Sequence, residues 1–214
     1  MTGQPTAQHV QPASPGRPAV FLDRDGVINE NQDGGYIQSW ESFRFLPGAV
    51  ESIAAIHRAG YAVVIVTNQA GIGRGYMTAT TLEQIHTRMI AAIRAGGGQV
   101  DAVLYCPHLP ESGCACRKPQ PGMLRQAASR LGLDLQRSVL IGDHLTDLQA
   151  GLAAGCRTIL VLTGRGHASS ETVRRDPRFA GAAVVANLPA AVGLILKYPP
   201  HPRPRLPLSL GRGG

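Results

Sequence analysis

An α/β fold is what this sequence predicts, with one parallel sheet covered by helices on both faces, and three observations carry the prediction. Short runs such as YAVVIV at 61–66 and TILVL at 158–162 are apolar without alternation, the pattern of strands buried on both sides. Between such runs lie longer segments whose apolar residues recur at helical spacing, most of them closed by glycine. Strand, helix and strand in that order require right-handed crossovers, which make neighbouring strands parallel.

Residues 1–17 read as a flexible tail rich in Gln, Pro and Ala. Residues 199–214 read as another, with near-alternate prolines that favour extended polyproline backbone. The body, 18–198, opens on the apolar strand Ala19–Leu22. Val50, Ile53, Ala54 and Ile56 give helical spacing over 47–59, which Gly60 stops. After the strand at 61–66, Leu82, Ile85, Met89 and Ile93 mark a helix over 80–94, ended by Gly96, Gly97 and Gly98. A strand at 100–105, a helix at 121–131 and a strand at 138–141 follow. Next come a helix at 145–154 closed by Gly155, strands at 158–162 and 182–185, and a helix at 188–196. The sum is a single Rossmann-like sheet, and no stretch is long enough for a large cap domain.

With 214 residues, 43% hydrophobic and 16% charged, the chain can bury one substantial core and is not disordered. No apolar run approaches the roughly 18 residues that span a bilayer. The polar N-terminus lacks the apolar segment of a secretory signal, so a cytoplasmic protein without membrane contact is expected. A net charge of +7 raises the possibility of nucleic acid. Arg17, Arg203, Arg205 and Arg212 place four of those charges in the acid-free tails, however, and aromatics are only 5%. A zinc-stabilised nucleic-acid-binding module is therefore the weaker reading, and a mildly positive body suits a small anionic substrate.

In parallel sheets ligands bind beyond the carboxyl ends of the strands. Asp23-Arg24-Asp25 follows the first strand and Thr67-Asn68 the second. Asp143, with Asp147 four residues on, follows the strand at 138–141, and Arg117-Lys118 comes after a loop beyond the third strand. Any one Asp here reads alone as a turn residue or helix cap. Together they suit phosphoryl transfer. Asp23 and Asp143 supply carboxylates for a hard cation such as Mg²⁺, and Asp23 is a nucleophile that needs no deprotonation. The Thr67 hydroxyl and Lys118 ammonium suit the phosphoryl oxygens. Asp25 is placed to protonate a leaving alcohol and then activate water. Asn68 and the glycines at 71, 73 and 75 allow backbone to approach an anion.

FLDRDGVIN, VTNQAGIGRG, CRKPQPGM and VLIGDHLTD resemble the four motifs of the haloacid-dehalogenase-like phosphatases over roughly residues 19–165. The resemblance implies an Mg²⁺-dependent phosphatase with Asp23 as nucleophile and Asp25 as acid/base. It makes Thr67 and Lys118 the phosphate contacts. Asp23, Asp143 and the main-chain carbonyl of Asp25 become the metal ligands.

Cys106, His108, Cys114 and Cys116 fall within eleven residues, while Cys156 stands alone. One imidazole and three thiolates suit a closed, structural Zn²⁺ site. Three buried cysteines with a surface histidine is the alternative, but packing gives no reason to cluster thiols in a Pro/Gly-rich loop. With this loop the chain resembles the D-glycero-D-manno-heptose-1,7-bisphosphate 7-phosphatases, with histidinol-phosphate phosphatases as relatives. That likeness implies a small phosphorylated sugar as substrate, and a monomer is expected. Gly35, Tyr36 and the 71–75 loop with Arg74 would face the sugar, and Arg117 would meet its distal groups. His144 stands where those relatives usually carry Lys or Arg.

Overall fold

The computed structural model describes residues 16–32 and 35–198; the expected tail segments 1–15 and 199–214 lie outside the described residues. Six strands form one parallel sheet: β1 (Ala19–Leu22), β2 (Ala62–Asn68), β3 (Ala102–Cys106), β4 (Val139–Gly142), β5 (Arg157–Val161) and β6 (Ala183–Val185). Their order is β3-β2-β1-β4-β5-β6. The chain thus starts in the middle, winds to one edge, and crosses back to build the other half. That reversal beside β1 is where such sheets open a crevice.

Strand residues sort alternately onto two cores, as a doubly covered sheet requires. Val20, Leu22, Val63, Ile65, Val139 and Ile141 face the cluster that also holds Ile53, Ile56, Ile85, Met89, Ile93 and Ile195. These come from α1 (Ala49–Arg58), α3 (Ala79–Ala95) and α7 (Leu188–Lys197). Ala19, Phe21, Val64, Val66 and Leu140 face the other side, against Met123, Leu124, Ala127 and Ala150. Those belong to α4 (Gly122–Leu131) and α5 (Leu145–Ala154). Phe21, Leu22 and Ile65 are fully buried, and each such side chain contributes roughly 1.5–3 kcal/mol.

Side chains cap the helices where the chain turns onto them. Thr78 accepts from Thr81 N at the start of α3, and Asn187 from Ala190 N at the start of α7. Two helices go beyond the sequence expectation. The four-residue α2 (Ala70–Gly73) occupies part of the loop expected at 71–75. The other, α6 (Gly166–Arg175), buries Gly166, Ser169, Ser170 and Val173. With one large apolar residue on its inner face, α6 leaves no apolar periodicity to read. Arg17, expected in the tail, is fastened to the body: its guanidinium donates to Gly60 O (3.0 Å) and Tyr61 O (2.7 Å) and pairs with Asp101 (3.3 Å).

Candidate active site

The parallel register sets the level of the site. Leu22 lies opposite Ile65 on β2 and Ile141 on β4, so Asp23, Thr67 and Asp143 leave their strands at one edge. Asp23 N donates to Ile141 O at 3.0 Å, extending that ladder into the site. A cleft of about 670 Å³ opens here, lined by Asp23, Asp25, Thr67, Lys118, Asp143 and Asp147 among others.

Lys118 is buried, and its ammonium lies 2.9 Å from Asp23 Oδ1, 2.6 Å from Asp147 Oδ1 and 2.8 Å from Val66 O. Burial alone would lower its affinity for a proton, but the Asp147 and Asp23 carboxylates outweigh burial and hold it charged. All three of its N–H groups are engaged, so Lys118 fixes the nucleophile as much as it waits for phosphate. The Asn68 carboxamide brackets Lys118, accepting from its N at 3.1 Å and donating to its O at 3.0 Å. Expected as a substrate contact, Asn68 lines the cleft and also places Lys118.

Asp147 is the carboxylate missing from the expected site set. It accepts from His144 N at 3.0 Å while the His144 ring accepts from Thr146 N, a reciprocal cap on α5. Oxygens of Asp23, Asp143 and Asp147 all lie within 4.8 Å of one another. Burial pushes Asp23 up to about 8, opposed by Lys118 and reinforced by Asp147 and Asp143. Burial likewise pushes Asp143 up to about 6, with Asp147 adding to it. Three carboxyl groups gather around one ammonium, and this donor set of hard oxygens fits a small divalent cation. All three carboxylates are also hydrogen-bonded within the protein: Asp147 to Lys118 and His144, Asp23 to Lys118 and Arg24 N, and Asp143 to Asn31 and Arg165 N.

Asp143 is held from three sides. Its Oδ2 accepts from Asn31 Nδ2 (3.0 Å) and Arg165 N (2.8 Å). Gly26 (φ +85°) and Gly164 (φ +56°) both press backbone against it, and a Cβ on either would overlap Oδ2. Thr163 Oγ1 donates to Gly26 O at 2.6 Å and ties those two segments together.

Asp25 lines the same cleft but is not part of the carboxylate trio. The fully buried Arg24 grips both of its oxygens (2.8 and 3.0 Å), while Asn29 and Gln69 donate at 2.9 Å each. Burial works to raise Asp25, yet the Arg24 guanidinium and these donors prevail and hold it below the usual carboxylate range. Arg24 also donates to His86 Nε2 at 3.2 Å. Burial, then the Arg24 charge, pushes His86 down to about 3, so its neutral ring can accept. Gln69 Nε2 further donates to Thr67 Oγ1 at 2.9 Å, leaving the Thr67 proton for another acceptor.

Around the mouth, Gly35, Tyr36 and Arg117 line the cleft as expected, and so does Arg165, which was not expected. Tyr36 packs on Tyr76 with ring centroids 5.7 Å apart. Arg74, expected at the sugar, is exposed and does not line the cleft. Only Ala70 of α2 reaches it, because Gly71 is packed under Tyr36 and Met77. His144 lines the cleft but turns Nδ1 to its cap, and burial lowers its basicity.

The cysteine loop forms one wall and leads into Arg117 and Lys118. Cys106 Sγ lies 3.5 Å from His108 Nδ1, 3.6 Å from Cys114 Sγ and 3.2 Å from Cys116 Sγ. His108 Nδ1 and Cys114 Sγ lie 3.3 and 3.5 Å from Cys116 Sγ. A tetrahedral Zn²⁺ with bonds of about 2.3 Å to sulfur asks for edges near 3.7 Å. The four residues therefore fit the ion with little adjustment. Arg117 donates to His108 O at 3.1 Å, so the same cluster holds the basic pair in place.

Comparison with known proteins adds relatives to this geometry. The HAD-hydrolase-like family model matches residues 115–191. The D-glycero-β-D-manno-heptose-1,7-bisphosphate 7-phosphatase of Pseudomonas putida is 45% identical over 152 residues, covering 71% of this chain and 86% of its own. Its counterpart from Bordetella bronchiseptica is 46% identical over 147 residues, covering 69% and 82%. Among solved structures, the D,D-heptose 1,7-bisphosphate phosphatase of B. bronchiseptica, complexed with magnesium and phosphate, has a TM-score of 0.78 at 41% identity. It covers 84% of this chain and 98% of that one.

Proposed function

The chain belongs to the D-glycero-β-D-manno-heptose-1,7-bisphosphate 7-phosphatase family, and on that premise we propose that it removes the 7-phosphate through an aspartyl-phosphate on Asp23. The observation that carries this reading is the Asp23–Lys118–Asp147 chain of ion pairs at the foot of the cleft. It orients the Asp23 carboxyl against a positive charge, and a bound Mg²⁺ would offset the burial that raises its affinity for a proton. Mg²⁺ would be held by the Asp23 and Asp143 carboxylates and the Asp25 main-chain carbonyl, and it would neutralise charge on the phosphoryl oxygens.

Asp23 attacks phosphorus in line, and the bond from phosphorus to the sugar oxygen breaks. Thr67 donates to a phosphoryl oxygen and Lys118 shares its charge with another. Asp25 begins ionised in the grip of Arg24. A phosphoryl dianion beside it opposes that grip and raises its affinity for a proton. Asp25 takes up a proton from solvent as the substrate enters and gives it to the leaving oxygen. Next it takes one from the water that attacks the aspartyl-phosphate, releasing inorganic phosphate and restoring Asp23. The free thiols of the cysteine loop suit a reducing cytoplasm. Among the described residues no helix is long and apolar enough to cross a membrane.

A panel of sugar phosphates and histidinol phosphate, with Mg²⁺ and with EDTA, tests the assignment. The heptose 1,7-bisphosphate is expected to release phosphate fastest, and EDTA to abolish release. Faster turnover of histidinol phosphate would move the substrate to the alternative that the sequence already raised.

The metal loop yields a separate expectation. Cys116→Ser should remove zinc from the purified protein, read as metal content per chain by emission spectroscopy. Because the loop delivers Arg117 and Lys118, kcat/KM should fall at least about tenfold and thermal stability should drop with it. Full activity in a zinc-free variant would make the loop irrelevant to the site.

A further inference from the structure

We propose that Arg165 holds the phosphate that is not cleaved, acting with Arg117 as the second arm of a clamp for a bisphosphate; the proposal rests on the function argued above. A bisphosphate brings a second dianion into the cleft, and that dianion needs cationic partners away from Asp23. Four basic side chains line the cleft: Arg117, Lys118, His144 and Arg165. Lys118 is buried and saturated by Asp23, Asp147 and Val66 O. His144 has its Nδ1 turned to the Thr146 N–H of its own helix cap. The two guanidinium groups remain. Among the described residues neither forms an ion pair, and the side chain of Arg165 takes no hydrogen bond.

The topology puts these two arginines on opposite sides of the nucleophile. Arg117 follows β3, two strands from β1 on one side, and Arg165 follows β5, two strands away on the other. The Arg165 main chain is immobilised at the site itself, since its N–H donates to Asp143 Oδ2 at 2.8 Å and neighbouring Thr163 bonds Gly26 O. Its base is rigid and its exposed guanidinium is free to close on an anion in a two-pronged contact. This geometry also bears on His144: where that position lacks a permanent charge, Arg165 supplies one from the next strand end.

The test compares heptose 1,7-bisphosphate with heptose 7-phosphate for wild type, Arg165→Ala and Arg165→Lys. Alanine keeps the main-chain bond to Asp143, so a thermal melt close to wild type is the folding control. Arg165→Ala is expected to raise KM for the bisphosphate at least tenfold with less than a threefold change in kcat. KM for the monophosphate should move much less, and Arg165→Lys should fall between. An equal rise in KM for both substrates would overturn the inference, as would an unchanged preference for the bisphosphate. A wild-type enzyme that ignores the bisphosphate would instead overturn the function on which the inference rests.

Discussion

Asp23→Asn should lower phosphate release at least about 10⁴-fold while leaving the protein folded. The amide has nearly the shape of the carboxylate but lacks the negative charge that attacks phosphorus. Its effect on stability should be small for a reason specific to this site. Asp23 is one of three clustered carboxylates served by a single ammonium, and burial already pushes it up to about 8. Removing its charge relieves repulsion toward Asp143 and Asp147, while Lys118 keeps Asp147 at 2.6 Å and Val66 O at 2.8 Å. Rapid quenching with radiolabelled substrate should trap label on wild type and none on the variant, with thermal melts within a few degrees of each other. Activity above about a thousandth of wild type would remove Asp23 from the role of nucleophile.

The parts of this site that were legible in the sequence are those that fold topology forces. A residue that directly follows a buried parallel strand has one destination, so Asp23, Thr67 and Asp143 were placed correctly from AVFL, YAVVIV and SVLIG alone. The gathering of Cys106, His108, Cys114 and Cys116 into one cluster was legible because clustered thiols have few uses in packing. What stayed hidden depends on side-chain direction. Asn68 follows Thr67 by one residue, and its carboxamide bonds the Lys118 backbone at the rim of the cleft, a role the sequence did not announce. Arg74 lies beyond α2, which turns its side chain out to solvent. Asp147 carried a signal, its spacing of four from Asp143 in the first turn of α5, but a first-turn Asp is normally just a favourable partner for the helix dipole. Arg165 had no signal of its own, because α6, which it precedes, buries Ser169 and Ser170 where a readable helix buries Leu or Ile.

Lys118→Met is expected to cost both activity and stability, which separates it from Asp23→Asn. Methionine fills nearly the same volume, so cavity formation contributes little. What changes is charge: the partly exposed Asp23 and the buried Asp147 lose their shared ammonium and face each other uncompensated. Breaking a buried pair from one side costs about 3–5 kcal/mol, equivalent to roughly 10 °C in melting temperature for a chain of this size. Turnover should fall about 10³-fold, since the nucleophile loses its anchor and the phosphoryl oxygens lose a cation. Metal binding should survive, because the Asp23 and Asp143 ligands remain and the site is more negative than before. Added Mg²⁺ should therefore raise the melting temperature of Lys118→Met at least as much as it raises that of wild type, without restoring turnover. A variant that lost its response to Mg²⁺ would show Lys118 to be holding the metal site together. One that kept turnover within about tenfold of wild type would show that the buried ammonium serves the fold and not the reaction.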